Sequence, residues 1–344
     1  MYHPRLRGTH YAMGQHYGAL LYKNGFRTAQ LPGSSSDYTA LIRSSEKLTR
    51  EFYPEICEEV EGFAHGAKGD YGHLMGFLLS IGITQTAPHC SCFAAVTDDG
   101  VLFGRNHDYF DQFKKFSESS LIAPEGFNCF VGQGDVFIGR EDGVNDKGLA
   151  VGYTFVDGLT QQPGINFQLV IRGLLEKCSS VQSAIEWLQK LPLSTYQNFV
   201  LADRSGDLAI VESSPERIEV RYPEENIPFV VATNNFQLPS MRRLQKNEDR
   251  NWYESETRYE TIMQALEEKQ ATLSLEVCQD ILSGKYGFVC QYPRKGDFDT
   301  IWSVAANLHT LVIRRAEGNP SRVKYKEDLR LANAVTKMSQ KVEH

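Results

Sequence analysis

Two cysteines and a nearby polar cluster are the residues of this 344-residue chain whose types and spacing could do chemistry. Cys90 and Cys92 begin an apolar run that reaches an Asp-Gly turn, after which the chain returns to Gly-Arg-Asn-His-Asp at 104–108. Apolar strands on both sides of such a turn predict a β-hairpin. Its pairing would bring the guanidinium of Arg105 and the carboxylate of Asp108 beside a thiol.

Three interpretations of the two thiols compete. A zinc site would need nitrogen and sulfur ligands, for which the candidates are His89, Cys90, Cys92 and His107. Side chains alternate along a strand, so both thiols would lie on one face and His89 on the other. Free cysteines are most often small buried apolar residues. A nucleophile is the third interpretation, because a cation such as Arg105 lowers the pKa of a thiol and a carboxylate orients a base.

Composition and charge exclude several classes of protein. The sequence is 41% hydrophobic and 23% charged, as in ordinary globular proteins, and its net charge of −7 without any basic run excludes a nucleic-acid partner. Seven scattered cysteines do not indicate a disulfide framework. The N-terminus lacks the apolar segment of a secretory signal, and the longest apolar stretch, 74–83, is too short to span a bilayer. We therefore expect a cytoplasmic protein without a membrane partner.

The elements that must position the hairpin are grouped along the chain. Helical periodicity is found at 34–69, where Pro54 is placed to begin a second helix, and at 73–81, 167–178, 180–191, 254–269 and 274–284. Strand patterns occupy 92–103, 128–133, 136–141, 149–155, 199–213, 217–222, 229–234, 300–307 and 310–316. This grouping predicts an α+β fold with mostly antiparallel sheets, since the sequence shows no βαβ alternation and no phosphate-binding glycine loop.

The hairpin resembles the catalytic start of the N-terminal-nucleophile hydrolases of the choloylglycine hydrolase, penicillin V acylase and isopenicillin-N acyltransferase type. Their pattern is Cys-(Ser/Thr), an apolar strand, an acidic or Asn-Gly turn and then Gly-(Arg/Gln)-Asn-X-Asp. The corresponding residues here are Cys90-Ser91, Asp99-Gly100 and Gly104-Arg105-Asn106-His107-Asp108. In the acyltransferase branch the nucleophile stands ten residues before the turn glycine and eighteen before the aspartate, and Cys90, not Cys92, has both spacings.

The resemblance continues along nearly the whole chain. The segment GVNDKGL at 143–149 resembles the family's G-(M/V)-N-(E/D)-K-G-L, and Thr233-Asn234-Asn235 resembles its Thr-Asn element. Ser255 and Arg258 resemble its S-x-x-R, and TIWSVAAN at 300–307 resembles its C-terminal strand. The opening RGTHYAMGQHYG resembles the leader of the acyltransferase branch.

The resemblance implies a four-layer αββα sandwich of antiparallel sheets, built as one domain over 1–344. It also implies an inactive precursor that cuts its own His89–Cys90 bond, which leaves a leader of residues 1–89 and a catalytic chain of residues 90–344. Cys90 would then carry a free α-amino group, whose unperturbed pKa of about 8 suits a base near neutral pH. The thiolate would attack a small-molecule amide or other acyl donor and pass the acyl group through a thioester to water or an amine, without cofactor or metal.

The resemblance also assigns roles to residues around Cys90. Asp108 would hold the α-ammonium group, and Arg105 would keep the surroundings of the thiol positive. Asn234, at the end of an apolar strand, would donate a hydrogen bond to the oxyanion. Arg258, one helical turn after a serine, would support the site.

One position departs from the family's pattern. Bile-salt hydrolases carry an oxyanion asparagine where this sequence has Thr154 beside Tyr153, so a backbone N–H is an alternative donor there. Aromatic residues on strands, Trp302, Phe110 and Tyr153, are candidates for an acyl pocket. Two other functions stay open: an unprocessed relative that binds a ligand without catalysis, and a metal-dependent hydrolase. A homo-oligomer is compatible with the sequence.

Overall fold

Two β-sheets form the centre of the structure, a computed structural model that describes residues 1–33, 36–83, 89–246, 253–293 and 297–342. Helices cover the outer face of each sheet, and the inner faces pack against each other. Because side chains alternate along a strand, apolar residues reach both faces of both sheets. The predicted α+β class and its four-layer αββα arrangement are confirmed.

Fourteen strands make up the two sheets of the described residues. They are β1 Arg5–Gly8, β2 His89–Thr97, β3 Gly100–Phe110, β4 Glu118–Pro124, β5 Phe130–Gly134, β6 Asp142–Asn145, β7 Leu149–Phe155, β8 Gln197–Asp203, β9 Leu208–Ser213, β10 Ile218–Arg221, β11 Phe229–Ala232, β12 Phe298–Asn307, β13 Val312–Ala316 and β14 Lys326–Asp328. One sheet has the order β1-β4-β5-β6-β7-β8-β9-β10 and the other has the order β11-β2-β3-β12-β13-β14. Neighbouring strands are antiparallel except for the parallel pair of β1 and β4.

The α-helices of the described residues form the two outer layers and the C-terminal segment. They are α1 His10–Lys23, α2 Thr39–Phe52, α3 Pro54–Gly66, α4 Tyr71–Ser80, α5 Phe167–Lys177, α6 Val181–Leu188, α7 Pro239–Arg242, α8 Ser255–Lys269, α9 Leu275–Leu282 and α10 Arg330–Val342. Helices α1 to α6 pack on the eight-stranded sheet, and α8 and α9 pack on the six-stranded sheet. Pro54 begins α3, as predicted.

The predicted hairpin is confirmed, and it is longer than the sequence pattern indicated. Strands β2 and β3 pair from His89 opposite Asp108 to Thr97 opposite Gly100. Gly100 makes the turn with φ of 119°, a conformation that only glycine adopts at little cost. The ends of the hairpin therefore lie side by side, which is what the chemistry around Cys90 needs.

The strand predicted at 136–141 is wrong. These residues form a turn in which Phe137 has a left-handed φ of 32°, and the Arg140 guanidinium donates to the carbonyls of Phe137 and Gly139. The buried ion pair between Arg140 and Glu118, with 2.8 Å between its N and O atoms, holds this bend in place. The three consecutive apolar residues at 136–138 are typical of a strand, but the hydrogen bonds and ion pair of Arg140 stabilise a turn instead. The sequence pattern also did not predict β1, β4 or α10.

Two properties of the whole chain can be read from the fold. All seven cysteines are free and buried. Within the described residues, no helix combines the length and the apolar character that crossing a membrane would require.

Residues 1–89, the predicted leader, are built into both the sheet and the helical layer. Strand β1 extends the eight-stranded sheet by pairing with β4. Helices α1 and α3 cross with their backbones almost in contact: a Cβ on Gly14 would lie 2.0 Å from the Glu59 carbonyl oxygen, and one on Gly62 would lie 2.1 Å from that of Tyr11. Glycine is needed at both positions because any side chain would push the helices apart.

A buried charge network joins the leader to α5. The Arg172 guanidinium lies 2.6 Å from the Glu59 carboxylate and 2.5 Å from that of Glu176. His10 Nε2 lies 3.0 Å from Glu176, to which the Tyr53 hydroxyl also donates. Since His10, Tyr53 and Glu59 belong to the leader, cutting the chain at residue 89 would leave these contacts unbroken. Removing one partner of such a buried pair typically costs about 3–5 kcal/mol.

Acid is expected to destabilise the protein through this network. Burial opposes ionisation of Glu176, but Arg172 and the hydrogen bonds from His10 and Tyr53 lower its pKa to about 2. An unfolded glutamate titrates near pH ~4.3, so this contribution is complete above that pH and is lost as the pH falls toward 2. The shift of about two units corresponds to a loss on the order of 3 kcal/mol.

The measurement is the melting temperature as a function of pH. Glu176→Gln is expected to melt lower than wild type at neutral pH and to show a flatter decline between pH ~4 and ~2. The matched control is Glu186→Gln, an exposed carboxylate on α6, which should follow wild type. Equal acid sensitivity of wild type and Glu176→Gln would contradict the assignment.

Candidate active site

Cys90 lies at the start of β2, fully buried between the two sheets. It pairs with His107 across the hairpin, and Cys92 pairs with Arg105, so these four side chains share one face. His89 lies on the other face, where its ring stacks on Tyr253 at 3.8 Å between centroids and 14° between planes. The alternation along the strand, predicted from the sequence, thus separates the histidine before Cys90 from the thiol.

The Cys90 thiol contacts a cation. Arg105 Nη2 lies 2.9 Å from Cys90 Sγ, and His107 Nδ1 lies 3.8 Å from it. Burial raises the pKa of the thiol well above its ordinary value, and Arg105 opposes that shift. In the uncut chain the thiol is therefore protonated, although the cation that favours a thiolate is already in contact with it.

The backbone atoms of Cys90 are held by two residues distant in sequence. Its N–H donates to Asn234 Oδ1 at 2.9 Å, and its carbonyl accepts from Arg258 Nη1 at 2.7 Å. Arg258 Nη2 also donates to Asn234 Oδ1 at 2.8 Å, while Asn234 Nδ2 donates to the Phe155 carbonyl at 2.8 Å. Two donors on one side and an acceptor on the other determine the orientation of the Asn234 amide. Its oxygen, not its N–H2 group, therefore faces Cys90.

The start of α8 explains why Asn234 and Arg258 meet. Ser255 is the first residue of that helix, and its hydroxyl accepts from the Asn234 backbone N–H at 2.8 Å and donates to Asn235 Oδ1 at 2.7 Å. Arg258 lies one helical turn later, so its guanidinium reaches the same point. The two short motifs recognised in the sequence thus form one hydrogen-bonded unit at the end of β11.

Asp108 lies on the face of the hairpin opposite to the thiol, so the expectation that its carboxylate would lie beside a thiol is wrong, because side chains alternate along the strand. Its carboxylate accepts from Thr300 Oγ1 at 2.6 Å and from the Tyr292 hydroxyl at 3.1 Å, and Arg258 Nη1 is 3.7 Å away. Burial raises the pKa of Asp108 to about 6, while Arg258 and the two hydroxyl groups favour its ionised form. In the uncut chain Asp108 contacts Arg258, and the Cys90 nitrogen is held by Asn234.

Thr154 and Tyr153, the predicted oxyanion residues, are both fully buried near this site. The Thr154 hydroxyl donates to the Thr233 carbonyl and accepts from Asn198 Nδ2 at 3.0 Å, so its proton is already used. The Tyr153 carbonyl accepts from Arg105 Nε at 3.1 Å. Burial, and then the neighbouring Glu141 carboxylate to which the hydroxyl is hydrogen-bonded, raise the pKa of the Tyr153 hydroxyl.

Three acidic residues that the sequence analysis did not select surround Arg105 and His107. Asp142 lies 2.6 Å from Arg105 Nη1, and Glu141 lies 3.4 Å from Arg105 Nη2. Asp135 Oδ2 lies 3.5 Å from His107 Nε2. The charged run Arg-Glu-Asp at 140–142, inside an apolar segment, could have indicated a buried polar cluster. It was overlooked because residues 136–141 were predicted to form a strand.

Trp302, predicted as a candidate for an acyl pocket, packs instead against the polar cluster. Trp302 stacks on His107 at 3.7 Å and 7°, and its Nε1 donates to Asp142 at 3.2 Å. Burial lowers the pKa of His107 to about 3, although Glu141 opposes this shift. His107 is therefore a neutral, stacked residue and not a proton acceptor poised near pH 7.

The four candidate metal ligands do not come together. Cys90, Cys92 and His107 share one face of the hairpin, and His89 lies on the other. Within the described ranges, the one group of acidic, cysteine or histidine side chains close enough to hold an ion is His10, Glu59 and Glu176. Arg172 already forms ion pairs with both of those carboxylates.

Comparison with known proteins identifies the family. Residues 95–322, more than half of the chain, match the family described as acyl-coenzyme A:6-aminopenicillanic acid acyl-transferase. The chain belongs to this family. The matched residues begin just after Cys90 and include Arg105, Asp108, Asn234 and Arg258. The resemblance to the acyltransferase branch, predicted from the hairpin, is confirmed.

Individual relatives of this acyl-transferase family member are distant. The acyl-coenzyme A:6-aminopenicillanic-acid-acyltransferase 40 kDa form of Emericella nidulans is 23% identical over 261 residues, which cover 71% of this chain and 72% of the relative. Among solved structures, a mutant conjugated bile acid hydrolase from Clostridium perfringens has a TM-score of 0.47 and 17% identity, covering 70% of this chain and 96% of that one. Penicillin V acylase from Agrobacterium tumefaciens has a TM-score of 0.46 and 15% identity, with coverages of 66% and 82%.

Proposed function

We propose that this chain is an autoprocessed cysteine enzyme that cleaves a linear amide, or transfers its acyl group, through a thioester on Cys90. The observation that supports this most strongly is that all three polar atoms of Cys90 are held by distant side chains. Arg105 contacts Sγ, Asn234 accepts from N–H, and Arg258 donates to the carbonyl. Any buried backbone N–H and C=O needs a hydrogen-bond partner, but a cysteine that served only as apolar filling would not need a guanidinium at its Sγ.

The first reaction is cleavage of the His89–Cys90 bond. Cys90 Sγ attacks the His89 carbonyl carbon and loses its proton, and the C–N bond breaks as the nitrogen is protonated. The His89 acyl group is then a thioester on sulfur. Water adds to this thioester, which frees the thiol and leaves a carboxylate on His89 and an amine on Cys90.

The mature site then has nucleophile and base on one residue. The Cys90 amine takes the proton of its own thiol, and the thiolate beside Arg105 attacks the substrate carbonyl. The same amine returns the proton to the departing amine of the substrate. Water or a second amine attacks the thioester and releases the acyl group.

The surrounding residues position this amine and the substrate oxyanion. Asn234 Oδ1, which accepts from the Cys90 nitrogen before cleavage, is placed to accept from the amine afterwards. Asp108 acts on the amine through Arg258 or directly, once the bond to His89 is cut. The Thr154 hydroxyl is not free to donate to the oxyanion, because its proton is bound to a carbonyl.

The experiment that tests this proposal is trapping of the acyl-enzyme. Purified wild-type protein incubated with phenylacetyl-coenzyme A or phenoxyacetyl amides is expected to gain the mass of one acyl group on the fragment that begins at Cys90. Hydroxylamine should remove this group, because it cleaves thioesters. An adduct on another cysteine, or no adduct on fully cleaved protein with any acyl donor, would count against the mechanism.

A further inference from the structure

A cavity of about 300 Å³ lies beside the candidate active site. Its walls come from both the leader and the predicted catalytic chain, and most of them are apolar. The leader contributes Leu31, Pro32, Phe77 and Ile81, and the rest of the chain contributes Tyr109, Phe113, Phe116, Val136 and Phe137. Cavities of this size and character typically bind small molecules.

The polar side chains of this cavity include two carboxylates, Asp135 and Glu141, and two amides, Gln30 and Gln168. Glu141 Oε2 lies 3.4 Å from His107 Nδ1 and 3.4 Å from Arg105 Nη2. Arg105 Nη2 is in turn 2.9 Å from Cys90 Sγ. The carboxylates are therefore separated from the thiol by a single layer of side chains.

Acidic groups outnumber basic groups in this cluster, and burial raises the pKa of all three carboxyl groups. Among the described residues it contains three carboxylates, Asp135, Glu141 and Asp142, and one guanidinium, that of Arg105. Asp142 takes the closest contact with Arg105, at 2.6 Å. His107 adds no positive charge, because its burial keeps it neutral. Burial raises the pKa of Asp135 to about 6, as expected for a carboxylate without a close cation.

At this end of the cavity, no lysine or arginine of the described residues forms an ion pair with the Asp135 carboxylate. Asp135, whose side chain is 4% exposed, is 3.5 Å from His107 Nε2. Arg105 Nη2, which can only donate, lies 3.2 Å from His107 Nδ1, so the neutral ring carries its proton on Nε2 and directs it toward Asp135. Lys115 lines a neighbouring cavity that also reaches Asp135, but its ammonium lies over the Phe116 ring at 5.0 Å. A positively charged hydrogen-bond donor would complete the arrangement.

We propose that this cavity is the substrate site and that it selects amides in which an apolar body ends in a protonated amine, the ammonium group binding at Asp135 and Glu141. The inference rests on the proposed function, because it names the substrate class of the same thiol. It also gives the leader a role after cleavage, as one wall of the site.

Calorimetric titration with three probes of nearly equal shape tests the charge preference. The probes are phenylbutylamine, phenylbutanol and phenylbutyrate, which are cationic, neutral and anionic at neutral pH. We expect the amine to bind at least about tenfold more tightly than the alcohol, and the carboxylate to bind more weakly than both. Asp135→Asn should reduce the affinity for the amine to that for the alcohol and leave the alcohol unchanged.

The matched control is Asp207→Asn, which removes an exposed carboxylate in the turn between β8 and β9. It should retain the preference of wild type. Glu141→Gln provides a second variant in case Asp135→Asn does not fold, and it should also weaken the amine selectively. Equal affinities of wild type for the amine and the alcohol, or a preference that survives both cavity variants, would overturn the inference.

Turnover by the mature enzyme shows which half of the substrate carries the charge. Aminohexanoyl anilide against hexanoyl anilide tests the acyl half, and acetyl-diaminohexane against acetyl-hexylamine tests the amine half. A preference for the charged member of either pair supports the inference, and turnover without such a preference contradicts it. The calorimetric result needs neither cleavage nor catalysis, so a failure of the proposed function would be seen separately, as an uncut chain without an acyl-enzyme.

Discussion

Wild-type protein is expected to run as two fragments on a denaturing gel under reducing conditions, one ending at His89 and one beginning at Cys90. Cys90→Ala is expected to remain a single chain. The reason is that Cys90 Sγ is the attacking atom, and alanine has no group that could replace it. Intact-mass measurement locates the cut to the residue. The leader should co-purify with the larger fragment, because β1 and the network around Arg172 hold it in place.

Cys92→Ala is the matched control for this experiment. Cys92 is equally buried on the same face. The spacing to Gly100 and Asp108, and the contact of the thiol with Arg105 Nη2, favour Cys90 as the nucleophile. Cys92→Ala should therefore cut normally, with at most a small loss of stability. If Cys90→Ala were cleaved and Cys92→Ala stayed intact, Cys92 would be the nucleophile of self-cleavage. A wild-type chain that stays whole would favour an unprocessed, ligand-binding protein.

Arg105→Met is expected to lower the rate of self-cleavage and of substrate turnover by at least about a hundredfold. Without this guanidinium, the thiol loses the cation in contact with it, and among the described residues only the weaker effect of Arg258 still favours the thiolate. The rate of iodoacetamide alkylation of the mature protein as a function of pH measures this directly, and its midpoint should move to higher pH. The variant should also be destabilised by about 3–5 kcal/mol, because Asp142 is left buried without its partner.

A double variant separates the two effects. Arg105→Met with Asp142→Asn removes both partners of the buried pair, so most of the stability should return. The alkylation midpoint and the low activity should not recover, if Arg105 acts on the thiol. Recovery of activity along with stability would show that Arg105 serves only to neutralise Asp142. Arg105→Lys keeps the charge and should retain part of the activity.

The local part of the site could be predicted from the sequence because it depends on one hairpin. Once an Asp-Gly turn is assumed, the hairpin brings Arg105 to the thiol and the period-two alternation places His89 on the other face; the same alternation also places Asp108 there, which the sequence analysis did not take into account. The same alternation argues against the four-ligand zinc site. The sequence motifs around Asn234 and Arg258 were recognised as separate pieces, but nothing in their spacing indicated that both would hold the backbone of Cys90.

The acidic cluster could not be predicted, since its members come together only in the folded chain. Asp135, Glu141 and Asp142 lie in and after a turn that resembled a strand, and they approach the hairpin across the space between the two sheets. These three carboxyl groups matter because they are buried away from water, where a negative charge without a nearby cation is costly.

By itself, the sequence determined the fold class through its periodicity and the family through the motifs that resemble it, and the spacing within one hairpin predicts Cys90, not Cys92, as the nucleophile. Only the tertiary structure decided that Asn234 faces Cys90 with its oxygen, that the leader forms a wall of the cavity, and that Asp135 and Glu141 lie beside the thiol. The physical reason is that hydrogen-bond direction, desolvation and charge balance depend on which residues meet in space, and those residues are far apart along the chain.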